Sequence, residues 1–378
     1  MRAGSNRCSA SSPCGSSGWY LVLLVAACGG APAPVHVGGA ERPAADVRVA
    51  SRGELSPRAA AASNPTTTRR LARGDGSALD RWLTAGDDAY AAGRWESALD
   101  CYASGARLTP GDPAAIVGVA RATLAVNGVS EGVASAPDDP TARAVLAALQ
   151  DVVAQHPEHA AAQLELGRIL LVLGQLADAR APLERAATLA PNDAEVLSSH
   201  GIALLVSGDR EGAVRALTRA ADLEPQDANR RANLATAELQ AGRLADAIVS
   251  YRAAVALDGE NGATRTSLGT ALLQAGDVGA AIPELEAAVR LDPTHATFHN
   301  NLGFGWQATG DLDRALAAYR RALALDPKLA SALINLATAS AKKGDMSAAR
   351  EAIRRARELD PEDPRALEVQ RELDEIAR

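Results

Sequence analysis

The sequence predicts an all-α solenoid, a stack of helix pairs in which each pair packs mainly against its neighbours. The first observation is a set of six glycines spaced 34 residues apart: Gly174, Gly208, Gly242, Gly276, Gly310 and Gly344. Two further sets share the period, six alanines that each follow a glycine by twelve residues and five prolines: Ala186, Ala220, Ala254, Ala288, Ala322 and Ala356, and Pro191, Pro225, Pro293, Pro327 and Pro361. A repeat of this length indicates stacked identical units rather than one globular core.

Each repeat divides into two predicted helices. In residues 296–329, Phe298, Leu302 and Trp306 fall at helical spacing, and Gly310 ends the helix because glycine adopts left-handed backbone angles readily. A second apolar face follows and ends at Pro327. Four Asx residues precede first helices and are expected to cap them: Asp112, Asp193, Asp227 and Asn261. Pro182 and Pro283 lie near the first turn of second helices, where a proline costs little.

The repeats place the domain boundaries. Six regular units cover residues 160–363, and two divergent units cover residues 79–159. The second divergent unit has predicted helices at about 114–126 and 141–155, separated by an insertion at 129–140. Residues 364–378 form a Glu- and Arg-rich helix that is expected to cap the open end of the stack. The prediction is therefore about eight helix pairs plus a C-terminal capping helix.

The N-terminus indicates export. A basic start and an apolar run at residues 19–27, too short to span a bilayer, predict a signal peptide at 1–27. Val25-Ala26-Ala27-Cys28 resembles the lipobox of bacterial lipoproteins, which implies that Cys28 becomes the lipid-bearing first residue. An ordinary signal cleaved after Gly29 or nearby, or an apolar accident at a misplaced start, is the alternative. Residues 28–78 lack apolar periodicity and predict a disordered tether.

Charge argues against nucleic-acid binding. The net charge is −7, yet residues 1–78 hold nine arginines against four acidic residues, so the repeats themselves are acidic. A nucleic-acid-binding surface needs clustered Lys and Arg on one face. Partners are therefore expected to be proteins or peptides, with a membrane reached through the lipid.

The repeat residues resemble the tetratricopeptide repeat (TPR) consensus. The matching positions in one unit are Leu302-Gly303, Trp306, Gly310, Ala315, Tyr319, Ala322 and Pro327, and in another Leu268-Gly269, Gly276, Ala281, Ala288 and Pro293. The resemblance covers about 300 of the 378 residues. It implies helix pairs stacked into a right-handed superhelix whose first helices line a concave groove. The small residues have a packing reason, because two helices approach closely only where side chains are small.

Two rows of first-helix positions, expected to be exposed, are the candidate peptide-binding groove. One row is Arg168, Ile202, Thr236, Thr270, Phe304 and Thr338, and the other is Glu165, Ser199, Asn233, Ser267, Asn301 and Asn335. Asparagine in the second row resembles the asparagine ladder of O-linked N-acetylglucosamine transferases, which holds an extended peptide by its backbone. An amide can donate and accept, so it pairs with any peptide unit. The Lys and Asn positions of chaperone-binding TPR proteins are not matched, which disfavours an acidic C-terminal tail as ligand.

The sequence contains little that predicts chemistry. His295 and His299, and His156 and His159, are close in sequence, but no third ligand accompanies either pair, so they are interpreted as surface histidines near loops. No phosphate-binding glycine loop or HExxH motif is present. Cys101 is interpreted as a small buried apolar side chain. We therefore expect no enzymatic activity, no metal and no cofactor.

The function expected from these features is a TPR scaffold of the bacterial cell envelope that binds partner segments in its groove. The families it most resembles are bacterial TPR lipoproteins, including pilus-assembly pilotins and outer-membrane assembly components. Gly29 after the lipidated cysteine resembles the pattern for delivery to an outer membrane. The alternatives are a regulatory or adaptor subunit of an enzyme, secretion or pilus assembly complex, and a structural spacer.

Overall fold

The computed structural model describes residues 68–130 and 132–376, and these residues contain seventeen α-helices and no strand. The helices are α1 Ala78–Ala91, α2 Trp95–Leu108, α3 Pro113–Val126, α4 Pro140–Gln155, α5 Ala160–Val172, α6 Leu176–Leu189, α7 Ala194–Val206, α8 Arg210–Leu223, α9 Ala228–Gln240, α10 Leu244–Leu257, α11 Gly262–Gln274, α12 Val278–Leu291, α13 Ala296–Thr309, α14 Leu312–Leu325, α15 Ala330–Lys342, α16 Met346–Leu359 and α17 Pro364–Ile376. The described residues divide into two compact units, unit 1 up to Asp209 and unit 2 from Arg210. The predicted all-α repeat fold is confirmed.

Unit 1 contains helices α1 to α7. Each helix packs against the next along the chain, and the first helices α1, α3, α5 and α7 also contact one another in series. The predicted helices of the longer repeat are present as α3 and α4. The insertion between them packs against the end of α5, where the Ala134 and Ala136 N–H groups donate to the carbonyls of Leu171 and Val172 at 2.7 and 3.2 Å.

Unit 2 contains helices α8 to α17 and repeats the same arrangement. The first helices α11, α13 and α15 contact one another in series, and the second helices α10, α12 and α14 each pack between two first helices. The last helix, α17, packs against α15 and α16 and buries Ala366 and Leu373. Because one side of α17 is apolar and the rest is charged, this helix closes the core as a cap should.

The predicted turn and cap residues have the expected geometry. All six periodic glycines have positive φ, between 75° and 88°, immediately after their first helices. The side chains of Asp112, Asp193, Asp227 and Asn261 accept backbone N–H groups at the starts of α3, α7, α9 and α11. These local signals therefore end and begin the helices as predicted. Pro182 and Pro283 lie inside α6 and α12, which continue past them.

Small residues bring the two helices of each repeat close together. A Cβ added to Gly167 would lie 2.3 Å from Leu183 Cγ, and one added to Gly269 would lie 2.6 Å from Leu285 Cγ. Ala186 and Ala322, on second helices, are fully buried. The periodic glycines and alanines thus mark positions where a larger side chain would push the helices apart.

The prediction of a disordered tether reaching residue 78 is wrong for its last ten residues or so. Ser77 caps α1 through its side chain, and residues 68–76 make specific hydrogen bonds to the first helices of unit 1. The physical reason is that buried carboxylates and an arginine on those helices bind the backbone of this stretch. The predicted signal peptide, Cys28 and the tether up to residue 67 lie outside the described residues.

Candidate peptide-binding site

Residues 68–73, which we call the docked segment, lie against the first helices of unit 1. The surface they contact, which we call the charged face, contains buried side chains from α1, α3, α5 and α7 and from the residues that cap α3 and α7. Its members are Asp80, Asp87, Asp112, Arg121, Glu165, Arg168, Asp193 and Glu195. Each of these eight side chains belongs to a residue less than a tenth exposed. The segment therefore lies against a set of nearly buried charges.

Helix α1 binds the C-terminal part of the segment through two aspartates. Asp87 Oδ2 accepts the backbone N–H groups of both Leu71 and Ala72, at 2.8 and 2.9 Å. Asp80 Oδ1 accepts the N–H groups of Arg73 and Gly74, and its Oδ2 accepts that of Gly76 at 3.2 Å. Two adjacent carboxylates thus satisfy five backbone donors, an arrangement that depends on backbone geometry rather than on side-chain identity.

Helix α3 binds the N-terminal part of the segment through Arg121. Its Nη2 donates to the Thr68 carbonyl at 2.8 Å and its Nη1 to the Arg69 carbonyl at 3.3 Å. The remaining Nε donates to Glu165 Oε1 on α5 at 2.9 Å. Since the guanidinium plane presents these donors in a fixed fork, Glu165 orients Arg121 towards two consecutive carbonyls of the segment.

The start of α7 supplies the third contact. Asp193 divides its two oxygens, because Oδ1 caps α7 at Glu195 and Val196 while Oδ2 accepts the Thr68 N–H. Glu195 Oε2 accepts from Arg69 Nη2 at 2.9 Å, and its Oε1 lies 3.3 Å from Arg168 Nη1. A helix N-terminus favours negative charge, so these two carboxylates are well placed to bind an arginine-bearing chain.

The segment also uses its side chains. Leu71 is 5% exposed, and Arg73 Nη2 pairs with Asp112, which at the same time caps α3. Arg69 and Arg73 are four residues apart and reach different acids, Glu195 and Asp112. Arg70 points to the surface, where it lies 3.5 Å from the exposed Asp88. The site therefore contacts an alternating pattern of arginine, leucine and arginine.

Two carboxyl groups of the charged face are perturbed in opposite directions. Burial raises the pKa of Asp87 above its ordinary value, although hydrogen bonds from Ala72, Tyr102 and Leu71 act against this effect. The N–H group of Gly74 lowers the pKa of Asp80. The contrast follows from the hydrogen bonds, because Asp80, in the first turn of α1, accepts three backbone N–H groups, whereas Asp87 lies beside the Tyr102 hydroxyl, 2.8 Å away, and for it the effect of burial is larger.

In unit 1 the structure corrects the expected exposure of the two groove rows. Arg168, Ile202, Glu165 and Ser199 are on the first helices as predicted, but all are buried, Ile202 and Ser199 completely. Arg168 and Glu165 form part of the charged face and meet at 3.4 Å. The expectation of exposure is wrong for all four residues, which lie on the first helices α5 and α7, and these two helices contact each other.

In unit 2 the second row is also buried. Asn233 is 3% exposed, Asn301 4% and Asn335 5%. The Asn335 amide donates to Asn300 Oδ1 at 3.0 Å, and the Asn300 amide donates to Asn301 Oδ1 at 3.3 Å, so a chain of amides joins α13 to α15. Binding of a peptide backbone by these asparagines stays a prediction, and their expected exposure is wrong.

The threonines of the first row turn towards their own helices. Thr270 Oγ1 donates to the Thr266 carbonyl at 2.9 Å and Thr338 Oγ1 to the Ile334 carbonyl at 3.0 Å. Thr236 Oγ1 lies 2.9 Å from the Tyr251 hydroxyl on α10, inside the repeat. Phe304 packs partly buried against the core around Leu268, and Thr338 is half-buried. Internal packing therefore accounts for the burial of Thr236 and Thr270.

The charged face contains residues that the sequence analysis did not select. Asp87 lies six residues before Gly93, the same offset at which Arg168 precedes Gly174, so the repeat pattern could have identified it. Arg121 and Asp193 carry no such signal for peptide binding. Asp193 was predicted only as a helix cap, and its second oxygen gives it the further contact.

The predicted histidines have structural roles. His159 Nδ1 accepts the Ala162 N–H at 3.1 Å and caps α5, and His295 stacks on Phe298 with ring centroids 4.1 Å apart. His299 Nε2 lies 3.0 Å from the Pro293 carbonyl. Within residues 68–130 and 132–376, three potential metal ligands do not cluster anywhere. None of the helices described is both long and apolar enough to cross a membrane.

Comparison with known proteins identifies the repeat. Two family models, both described as tetratricopeptide repeat, match residues 141–194 and 199–262, and residues 238–302 and 307–373, and together they cover more than half of the chain. No curated protein matches significantly. Proteins of this repeat type are generally non-catalytic modules that bind other proteins or peptides.

Several solved structures resemble this chain, and the first of them shares its fold. The crystal structure of the APC/C hetero-tetramer Cut9-Hcn1 matches with a TM-score of 0.59 and 18% identity over 80% of this chain. The chain spans 57% of the length of that protein. PilF of Pseudomonas aeruginosa matches with a TM-score of 0.49 and 18% identity, over 58% of this chain and 99% of that one. YrrB, described as a TPR protein with an unusual peptide-binding site, matches with a TM-score of 0.40 and 23% identity, over 50% of this chain and 97% of that one.

Proposed function

Because this chain belongs to the tetratricopeptide repeat family, whose members are protein-interaction scaffolds, we propose that it is a non-enzymatic scaffold of the bacterial cell envelope. In this proposal it binds extended or helical segments of partner proteins on its first helices. The observation that carries the proposal is the docked segment, a stretch of chain outside the repeats that is held on this face of unit 1 by hydrogen bonds to its backbone. Such contacts are those that a partner segment would use.

Membrane attachment is the second part of the proposal. It rests on the resemblance of Val25-Ala26-Ala27-Cys28 to a lipobox and on the basic, apolar-run N-terminus. With the lipid on Cys28, the repeats would be joined to the membrane by the linker that ends at the docked segment, facing the periplasm or the cell exterior. A linker of about 40 residues has a mean reach on the order of 35 Å if it is a flexible coil.

The binding activity is tested by pull-down from detergent-solubilised envelopes, with the bound proteins identified by mass spectrometry. The full chain is compared with a triple variant carrying Asn233→Ala, Asn301→Ala and Asn335→Ala. Asn127→Ala, at the exposed C-terminal end of α3, is the matched control. We expect the full chain and the control to retain the same identified partner. If the asparagines hold the ligand, the triple variant loses it, with its fold checked by circular dichroism and its stability by urea denaturation because Asn335 also bonds to Asn300.

Two results would contradict parts of this proposal. If the triple variant retains every partner, the asparagines do not hold the ligand. If the full chain enriches no protein over an unrelated lipoprotein, the scaffold proposal itself fails.

The anchor is tested separately by metabolic labelling with a fatty acid, for which we expect label in the full chain and none in Cys28→Ser. Unlabelled wild-type protein would refute the lipid anchor.

A further inference from the structure

The docked segment precedes the first helix and belongs to no repeat. It contributes one buried apolar side chain, Leu71, and contacts α1, α3 and α7 almost entirely through hydrogen bonds and ion pairs. The helices of unit 1 pack against one another independently of it. Residues 68–73 therefore resemble a ligand that is covalently joined to its receptor.

The chemistry of the charged face selects the class of this ligand. The face holds six carboxylates and two guanidiniums, all nearly buried. Arg121 and Arg168 already pair with Glu165 and Glu195, which leaves an excess of negative charge. Buried carboxylates are costly unless they are hydrogen-bonded or paired, so an occupant must bring N–H donors and positive charge. The docked segment brings both.

Recognition of the ligand has two parts: one depends only on its backbone groups, and the other depends on its side chains. Asp87 accepts two consecutive N–H groups and Arg121 binds two consecutive carbonyls, backbone groups that a segment of any sequence offers when it adopts the same irregular conformation. Glu195 and Asp112 add places for two arginines four residues apart. A partner segment with the same arginine, leucine and arginine spacing presents the same groups.

We propose that the charged face is a binding site for arginine-bearing segments of partner proteins, and that residues 68–73 occupy it in cis as an intramolecular competitor. This inference rests on the proposed scaffold function and adds the location and the ligand chemistry. Only residues 74–77 separate the segment from α1. A short linker gives an effective concentration on the order of millimolar, so a partner in trans binds only as far as it displaces the segment.

The test uses the full chain and a fluorescent peptide with the sequence of residues 68–74. An opened variant, Arg69→Glu with Leu71→Asp, places negative charge beside Glu195 and a charge where Leu71 is buried, so the segment is expected to leave the face. Arg70→Glu is the matched control, since Arg70 points to the surface. A peptide with both end arginines changed, Arg69→Glu and Arg73→Glu, controls for specificity.

We expect the opened variant to bind the peptide at least about tenfold more tightly than the wild type and the Arg70→Glu control, by fluorescence anisotropy, because the competitor is gone. Adding Glu195→Gln to the opened variant should reverse most of this gain, and the charge-reversed peptide should not bind. Hydrogen exchange in the same samples should show slow exchange of the residue 71 and 72 amides in the wild type and fast exchange in the opened variant.

Three results would overturn the inference. Fast exchange of these amides in the wild type would show that the segment is not docked. Slow exchange in the opened variant would show that the segment is a fixed part of the fold rather than a displaceable occupant. Equal peptide affinity of the opened variant and the wild type would show that the face does not select this ligand. Because the assay contains only purified components, none of these results depends on the partners captured from envelopes.

Discussion

The first-helix faces of the two units occupy equivalent repeat positions but use different chemistry. In unit 1 the face carries carboxylates and arginines, and a separate stretch of chain satisfies them. In unit 2 it carries threonines and asparagines that bond to their own helix, to one another or to a tyrosine of the same repeat. Short neutral groups can be satisfied locally, whereas buried charges need a partner of matching sign. The unit 1 face is therefore the one whose buried charges require a bound segment.

The largest expected effect comes from removing the arginine at the centre of the charged face. Arg121→Ala leaves two segment carbonyls without their donor and removes one cation from Glu165. Because breaking a buried charge pair leaves an uncompensated charge, we expect a loss of about 3 kcal/mol in the free energy of unfolding, measured by urea denaturation.

The control for Arg121→Ala is Arg243→Ala in unit 2. Arg243 pairs with Glu211 on the surface, where both side chains are largely exposed, so its removal should cost no more than about 1 kcal/mol. Equal losses for the two variants would show that the charged face contributes no more than a surface ion pair.

The second prediction concerns packing that both units share. Ala322→Leu in unit 2 and Ala186→Leu in unit 1 add a large side chain at fully buried positions between helices. We expect each to destabilise the protein by about 1 to 3 kcal/mol and to lower the thermal midpoint. Ala317→Leu, exposed on the same helix as Ala322, should leave it unchanged. An unchanged midpoint in both buried variants would mean that the small residues are not required by packing.

The chain of amides between α13 and α15 makes the unit 2 face testable by mutation. Asn335→Ala removes the donor that Asn300 Oδ1 accepts between α15 and α13, and we expect a loss of about 1 to 2 kcal/mol. In a double-mutant cycle with Asn300→Ala the two losses should add to more than the loss of the double variant. Strict additivity would show that these amides do not depend on each other and would leave them available for a ligand.

Local features of the fold could be predicted from the sequence because they depend on a few neighbouring residues. Gly310 ends a helix through its left-handed backbone angles, and Asp193 begins one by accepting two N–H groups of its first turn. Both residues lie at the positions that the periodicity predicts. The boundaries of α3 and α4 were predictable for the same reason, although the repeat there is irregular.

The docked segment could not be predicted in this way. Its composition, rich in arginine and poor in apolar residues, indicates disorder, and its order depends on Asp87, Arg121 and Asp193, which lie up to 125 residues away. The exposure predicted for the two groove rows is also wrong, because most of their side chains are buried. A periodic pattern shows which residues share a helix face, but how closely neighbouring first helices pack depends on contacts between repeats.

The smallest expected effect concerns the start of α5, which a histidine caps where three other regular repeats use Asp or Asn. His159 Nδ1 must be unprotonated to accept the Ala162 N–H, and burial lowers the pKa of His159 below its ordinary value. A lowered pKa means that the unfolded chain binds the proton more readily, so stability should rise with pH between the folded pKa and about 6.5. His159→Asn keeps a capping oxygen and does not titrate, so its stability should change less than that of the wild type between pH 5 and 7.5. Parallel pH profiles for the two proteins, measured as urea midpoints, would show that protonation of His159 is not linked to folding.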